Sequence, residues 1–419
     1  MLMTNCGHAG CREQTFEGSK YCILHAQYPE YLSSPQEYER LDNLKNQRVQ
    51  EKIKEGDFYF EGLILHTLKL SNQDLGFNGL ILENATILDD LELENVVMRA
   101  NLDLSNATIR RNLLLDGVKI QGGEITLYNA VVEGSAELYS VKITGVLDCR
   151  ELVVKHEFRL SNLEVQKNAY VVDASFWGAD FDDSTFQKDL LLTRTRVAGT
   201  LDIQHCDVKG LVFADRLRIG DLPSRESTFR KAAVINEQGG YRFGSDKCFF
   251  EQMVARRKKI RAMSLRELKA YFEHLYSSLH LGLGRFVNDS FNVTVGFIRN
   301  TQKSKVPKFL MALYSAVFAT LEAPVQYFFG YGVKPFRLTM TWMAVIAFFT
   351  SAYYLGHGIT DLNTVSGCLW FSIATAITPG FSGYRPVPGI FEIITSAEAI
   401  IGTIFWATFI ATFARKFMR

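Results

Sequence analysis

The feature that most constrains the fold of this chain is a run of apolar residues in i, i+2 pairs between about residues 58 and 220. Period two within a pair is typical of a short β-strand whose alternate residues face inward. Asn, Asp and Gly separate the pairs, which indicates a bend after each strand. The clearest pairs are Leu80/Leu82, Ala85/Ile87, Leu91/Leu93, Leu102/Leu104, Ala107/Ile109, Leu113/Leu115 and Val118/Ile120.

A longer period of about 22 to 23 residues, marked by Leu102, Ile125, Leu147 and Tyr170, is typical of repeat architectures. Strands this short bury a continuous core only when they are coiled and stacked. We therefore predict a right-handed parallel β-solenoid over residues 58–220, with roughly seven coils and a length of about 34 Å at ~4.8 Å per coil. A β-sandwich is the alternative, but it would need longer strands and less regular spacing.

Residues 1–30 carry the spacing C-x4-C followed by C-x2-H. Paired Cys and His ligands separated by a short loop are typical of tetrahedral zinc sites. We predict a zinc-binding head with a closed, structural Cys3His site, and His8 as a weaker substitute ligand. The alternative is a set of unconnected thiols and imidazoles. No signal peptide is recognisable, so these thiols are expected in the reducing cytosol. The predicted ligands are Cys6, Cys11, Cys22 and His25.

Two helical linkers are expected. Residues 31–57 are polar helix formers and predict a linker helix, and residues 221–308 predict a basic helical linker. Its densest basic run predicts contact with anionic lipid, although a solvated helix face is the alternative. Over the whole chain 46 Lys and Arg balance 45 Asp and Glu, which argues against a nucleic-acid partner. The basic run is Arg256, Arg257, Lys258, Lys259 and Arg261.

Three apolar stretches follow: Phe309–Phe329, Leu338–Leu355 and Ile390–Phe413. The second and third are about long enough to span a bilayer. Basic residues precede the second and follow the third, which predicts two spans of the inner (plasma) membrane with both termini cytoplasmic. An apolar loop that re-enters from outside then joins the spans. This topology makes residues 309–336 an interfacial helix and residues 337–419 a two-helix pore unit.

The pore unit resembles the two-helix potassium-channel family. The segment Leu369–Thr378 looks like the pore helix of that family, and Thr378–Ser382 falls where its T-V-G-Y-G filter stands. Ser396–Gly402 is similar to its second-helix pattern. Phe329–Arg337 resembles the stretch before the first span in prokaryotic proteins that join pentapeptide repeats to this pore. Ala100–Leu104 and Ala179–Asp183 resemble the pentapeptide motif A-(D/N)-L-x-x.

The resemblance implies a homotetramer that conducts a monovalent cation. It implies a selectivity filter at Thr378, Pro379, Gly380, Phe381 and Ser382, and pore support from Trp370, Thr375, Glu398 and Gly402. The filter departs from the family, because Pro379 lacks an N–H, Phe381 lacks a hydroxyl and Ser382 replaces glycine. We therefore expect weak potassium selectivity.

Two functions remain open on the sequence. The first is a homotetrameric cation channel with a cytosolic solenoid for sensing or anchoring. The second is a membrane-anchored solenoid scaffold that does not conduct. The chain carries no nucleotide-binding loop, nucleophile elbow or paired catalytic carboxylates, so we do not expect an enzyme.

Overall fold

A computed structural model describes residues 5–29, 34–282, 313–317, 320, 326–327, 330, 335–378 and 383–417. The chain divides into two compact units, Met1–Gln252 and Met253–Arg419. Each unit is described by itself. The first consists of the cysteine-rich head, helix α1 (Pro35–Lys54), a β-coil, helix α2 (Leu222–Gln238) and the start of helix α3 (Arg242–Gly282).

The coil is a parallel β-solenoid, as the short paired strands predicted, and each of its turns has four faces. Its strands, numbered in chain order, pair only in parallel with the equivalent strands of the neighbouring coils. Seven strands stack on the first face, which confirms seven coils in the described part of the chain. They are β3 (Leu80–Ile81), β7 (Leu102–Asp103), β11 (Ile125–Thr126), β15 (Leu147–Asp148), β18 (Ala169–Tyr170), β21 (Leu190–Leu191) and β25 (Val212–Phe213).

The second and third faces merge into one 13-stranded sheet because β16 and β19 run through the corner between them. The second face holds β1 (Ile64–Leu65), β4 (Thr86–Ile87), β8 (Thr108–Ile109), β12 (Val131–Val132), β16 (Val153–Ser161), β19 (Ser175–Asp180), β22 (Arg196–Val197) and β26 (Arg218–Ile219). The third adds β2 (Leu68–Ser71), β5 (Leu91–Glu94), β9 (Leu113–Asp116), β13 (Ala136–Tyr139) and β23 (Leu201–Asp202).

The fourth face closes each coil with a six-stranded sheet. It consists of β6 (Val97–Met98), β10 (Lys119–Ile120), β14 (Lys142–Ile143), β17 (Glu164–Val165), β20 (Thr185–Phe186) and β24 (Asp207–Val208). Inward residues from all four faces form one apolar core. The period expected from the sequence needs one correction. Leu147 pairs with Ala169, whereas Tyr170 pairs with Asp148, so the inward stack continues through the smaller residue.

The corners explain the turn residues between the strand pairs. Asn84, Asn106 and Asn129 have φ of 57°, 55° and 53°, in the left-handed region that asparagine tolerates better than most residues. The side-chain amide of Asn129 donates to Asn106 Oδ1 at 2.9 Å, so successive corners are also bonded to each other. The residues that interrupt the apolar pattern therefore bend the chain and hold neighbouring coils in register.

Helix α2 covers the open edge of the last coils. Ser224 Oγ accepts from the N–H of Leu201 at 2.7 Å and donates to its carbonyl oxygen at 2.5 Å. Thr228 Oγ1 donates to the same carbonyl oxygen at 2.9 Å. These two side chains form the hydrogen bonds that a further strand would form. The N–H and the carbonyl oxygen of Leu201 at the sheet edge therefore both have partners.

Within its described residues, the second unit contains three long or apolar helices beyond α3: α4 (Pro335–Leu355), α5 (Val365–Ile377) and α6 (Ile390–Phe417). Within α4 and α6, Phe336–Leu355 and Ile390–Ala414 are long and apolar enough to cross a membrane. Buried side chains from α4, α5 and the loop between them form a small core of Phe349, Tyr353, Ile359, Cys368 and Phe371. The helices therefore pack around a core of their own.

The stretch for which an interfacial helix was expected, residues 309–336, lies mostly outside the described residues. Residues 313–317 are helical. Ser315 Oγ lies 2.6 Å from Ser264 Oγ on α3, so this short segment contacts the second half of α3.

Candidate functional site

The cysteine-rich head is held by turns that bring its ligands together. The N–H of Cys6 donates to Glu13 O at 2.8 Å, and the N–H of Cys11 donates to His8 O at 3.2 Å. The N–H of His25 donates to Cys22 O at 3.1 Å, which closes a turn over the C-x2-H spacing. Both halves of the motif therefore fold back toward one centre.

The four predicted ligand residues form one cluster, as the spacing indicated. Their ligand atoms all lie within 4.8 Å of one another. Cys11 Sγ is 3.8 Å from Cys22 Sγ, and His25 Nδ1 lies 3.2 Å from Cys22 Sγ and 3.4 Å from Cys6 Sγ. A tetrahedral zinc with Zn–S bonds of about 2.3 Å would separate two sulfurs by about 3.8 Å. Cys6, Cys11, Cys22 and His25 could therefore hold a metal ion such as zinc.

The electrostatic environment differs between the thiols. Burial raises the pKa of Cys6, but the amide N–H groups of Cys22 and His8 stabilise its thiolate and bring the pKa down to about 7. Burial raises the pKa of Cys11 to about 12, although an amide hydrogen bond opposes this. A divalent cation at the centre would supply the positive charge that three adjacent thiolates need.

His25 also connects the cluster to the solenoid. Its Nε2 lies 2.8 Å from the carbonyl oxygen of Glu61, in the first turn of the coil, while Nδ1 faces the cluster. Such a hydrogen bond on the far nitrogen fixes the tautomer and orientation of a metal-binding histidine. The N–H of Ile64 donates to Leu24 O at 2.9 Å, so the head is bonded to strand β1 as well.

His8 lies outside the cluster, which removes it as a substitute ligand. Its ring stacks on His25 with centroids 4.1 Å apart and an angle of 21° between the planes. The ring also occupies the space above Gly62, where a Cβ would lie 2.3 Å from a His8 ring carbon and φ is +67°. His8 is therefore a packing residue between the head and the coil.

Lys45, a residue that sequence reasoning missed, is fully buried on α1. Its ammonium donates to the carbonyl oxygens of Ala26 and Ile64, both at 2.6 Å, and to Leu24 O at 3.3 Å. Burial lowers the pKa of Lys45 to about 7, whereas three carbonyl oxygens, which can only accept, favour the protonated form. One side chain thus joins α1, the head and the first coil.

In the second unit, Glu398 lies at the meeting point of three helices and is 1% exposed. Its Oε2 accepts from the Tyr353 hydroxyl on α4 at 2.6 Å, and its Oε1 accepts from the Ser372 hydroxyl on α5. Ser372 Oγ also lies 3.3 Å from Ile346 O on α4. A carboxylate among apolar helices needs such donors, so this network fixes the packing of α4, α5 and α6.

The other predicted site residues of this unit occupy different positions. Thr375 is 4% exposed, whereas Trp370 is 53% exposed. A Cβ on Gly402 would lie 2.3 Å from Ala376 O, so glycine allows α6 and α5 to approach closely. Thr378 is the C-cap of α5. The remaining predicted filter residues, Pro379, Gly380, Phe381 and Ser382, lie outside the described residues.

Tyr353 and Ser372, the two hydroxyl donors to Glu398, were not predicted from the sequence, although their residue types gave a signal. A tyrosine or serine inside an apolar helix needs a hydrogen-bond acceptor, and Glu398 is an acceptor in a neighbouring apolar stretch. The sequence could not distinguish Tyr353 from the adjacent Tyr354, because the rotation of the helix was unknown. In the folded chain Tyr353 is fully buried and Tyr354 is 42% exposed.

The predicted lipid-contact run lies on α3. Arg256, Lys258 and Arg261 are exposed, and Arg257 and Lys259 are half-buried.

Comparison of the sequence with protein-family models and with curated proteins gives no match. What this chain does must therefore be inferred from its own residues.

Proposed function

We propose that the chain is one subunit of a homotetrameric cation channel of the inner (plasma) membrane. In this proposal α4 and α6 span the membrane, and α5 enters it only part of the way. At 13 residues and about 1.5 Å per residue, α5 is roughly 20 Å long, too short for a hydrocarbon core of about 30 Å. Irregular backbone after such a helix is tolerated in a membrane only when protein or water surrounds it.

The observation that carries the proposal is the anchoring of α5 to both long helices through Glu398. An ionisable group inside an apolar bundle is costly and by default functional. Here it holds the short helix whose C-cap is Thr378. Because the C-terminal end of a helix carries partial negative charge, α5 would favour a cation beside Thr378. Four chains around one axis would then present rings of oxygen atoms to that cation.

Thr378 and residues 379–382 are the proposed filter, with Trp370, Thr375, Glu398 and Gly402 as its support. A permeating monovalent cation would meet the carbonyl and hydroxyl oxygens of Thr378 first from the cytosolic side. The basic residues that flank the spans support a cytoplasmic position for both the N- and the C-terminus. The solenoid then serves as a cytosolic sensing or anchoring domain.

Zinc is the metal that the head is proposed to bind. Three thiolates and one imidazole form a closed set of soft and borderline ligands, which suits tetrahedral Zn²⁺ and leaves no open position for catalysis. The head has little apolar core of its own apart from its contact with the first coil. A structural metal would therefore contribute folding energy there directly.

The exposed cations of α3 are proposed to contact anionic lipid headgroups. Arg256, Lys258 and Arg261 form no ion pair among the described residues, and each basic group near an anionic surface contributes about 1 kcal/mol. The test dilutes the full chain out of detergent in the presence of vesicles. The chain should bind vesicles that contain phosphatidylglycerol more strongly than neutral vesicles. Replacing the three residues by Gln should reduce that difference, whereas Arg110→Gln on the solenoid should not.

A non-conducting scaffold is the second candidate function. Pro379, Phe381 and Ser382 favour it, because each removes a feature that holds a potassium filter open and rigid. Planar bilayer recordings of the purified protein separate the two. A channel should give potassium current. In Thr378→Cys that current should be blocked by a thiol reagent that leaves wild-type current unchanged. A correctly assembled tetramer without current would favour the scaffold.

A further inference from the structure

Tyr353 occupies a central position that the channel proposal does not use. It lies in the last turn of α4, fully buried, with its hydroxyl 2.6 Å from Glu398 Oε2 and 3.2 Å from Thr395 Oγ1 on α6. Its ring meets the Phe371 ring on α5 edge-on, with centroids 5.1 Å apart and an angle of 89°. One side chain thus contacts both other helices.

The carboxylate of Glu398 has a donor on each oxygen, and the two donors come from different helices. Oε2 accepts from Tyr353 on α4, and Oε1 accepts from Ser372 on α5. If the phenol donor were lost, the carboxylate could rotate toward Ser372, and α5 would lose its connection to α4 through this group. The hydrogen bond from Ser372 to Glu398 would remain, but the contact of Ser372 with α4 would then be only the longer one to Ile346 O at 3.3 Å.

We propose that Tyr353 is a positioning residue of the conduction path. Its hydrogen bond to Glu398 fixes α5 relative to α4, and thereby fixes Thr378, which follows Ser372 by six residues, or about 9 Å of helix. This inference rests on the proposed channel function and adds a means of regulation to it. Helix α4 is the one of the three that is nearest to the proposed cytosolic domains in sequence. If α4 moved, this hydrogen bond would transmit the movement to the proposed filter.

The test uses Tyr353→Phe, which keeps the ring packing against Phe371 and removes only the hydroxyl. Tyr354→Phe is the matched control, since the neighbouring phenol is exposed. In full-length channels in bilayers, Tyr353→Phe should change the permeability ratio of potassium to sodium at least about threefold, and Tyr354→Phe should leave it unchanged. Ser372→Ala should reproduce the change, and the double variant should add little to it.

A purely structural role would give a different result. Tyr353→Phe would then lower the yield of tetramer, while the assembled fraction would keep the wild-type permeability ratio. That outcome would overturn the proposal. The ratio is therefore measured on tetramer isolated by size exclusion.

Hydrogen exchange tests the same bond without any current. Amides of residues 365–377 should exchange about tenfold faster in Tyr353→Phe than in the wild type or in Tyr354→Phe, because α5 has lost one attachment. Absence of current in the wild type would refute the channel proposal, and the exchange rates would still decide whether Tyr353 positions α5. Equal exchange in both tyrosine variants would refute the positioning role.

Discussion

The side-chain amide of Asn236 forms with Val212 both hydrogen bonds that a further β-strand would form. Its Oδ1 accepts from the Val212 N–H at 2.9 Å, and its Nδ2 donates to the Val212 carbonyl oxygen at 2.8 Å. Asn236 lies on α2 and is fully buried, so the helix imitates the backbone of a missing coil. Exposed sheet edges promote pairing with other chains, and this contact removes such an edge.

Asn236→Ala should destabilise the last coil. It leaves the Val212 N–H and carbonyl oxygen without partners, and each orphaned buried group costs about 1–3 kcal/mol. Amides of residues 201–219 should therefore exchange at least about tenfold faster. Gln238→Ala, at an exposed position of the same helix, is the control. Equal exchange in both variants would mean that water replaces the amide at no cost.

Cys22→Ser should abolish metal binding by the head. Elemental analysis of the wild type should give about one zinc per chain, the value for a closed Cys3His site, and the variant should give nearly none. Cys206→Ser is the control, because that thiol lies in the solenoid and its hydrogen bond to Ile203 O can pass to the serine hydroxyl. Full zinc content in Cys22→Ser would disprove the assignment.

Lys45→Met should loosen the junction between the head and the first coil. The substitution removes the donor to Ala26 O and Ile64 O and should cost at least about 2 kcal/mol. Local opening, followed by hydrogen exchange of residues 22–26 and 64–65, should become about 30-fold more frequent. Lys54→Met, exposed at the end of the same helix, should leave these rates unchanged.

Glu398→Leu should weaken the proposed tetramer and alter conduction, because the hydroxyls of Tyr353 and Ser372 lose their closest acceptor and keep only longer contacts of 3.2 and 3.3 Å. Two such losses inside an apolar bundle should cost about 2 kcal/mol or more. Thermal dissociation of the tetramer in mild detergent and single-channel recording measure the two effects. Glu392→Leu, exposed in the first turn of α6, is the control. Wild-type assembly and current in Glu398→Leu would remove Glu398 from the proposed site.

The proposed channel should select cations over anions but discriminate poorly between potassium and sodium. Pro379 has no N–H to hold the filter backbone, and the Phe381 ring has no hydroxyl donor. Selectivity depends on the number and field strength of the oxygen ligands, which fewer restraints make less uniform. The reversal potential under bi-ionic potassium and sodium should therefore stay close to zero. The triple variant Pro379→Val, Phe381→Tyr, Ser382→Gly should move it toward strong potassium selectivity.

The sequence by itself determined the solenoid and the cluster of three cysteines and one histidine. Period two within each pair and a bend every five or six residues fix which side chains face inward, because a strand alternates its faces regardless of what it packs against. The Cys and His spacing likewise predicted the cluster, since ligands three to five residues apart meet across a single turn. The two long apolar helices also followed from composition, whereas the shorter helix between them was expected only from the resemblance to a channel pore helix.

Only the tertiary structure decided which residues hold these parts together. In the sequence, Lys45 and Asn236 look like ordinary polar residues of surface helices. In the folded chain, backbone groups from distant parts of the sequence surround both side chains. The choice of Tyr353 over Tyr354 depends on the rotation of α4, which an almost uniformly apolar helix does not reveal. His8 has the chemistry of a ligand, but it stacks on His25 and fills the space above Gly62. In each case the deciding contact joins residues far apart in the chain, and local sequence patterns carry no record of such contacts.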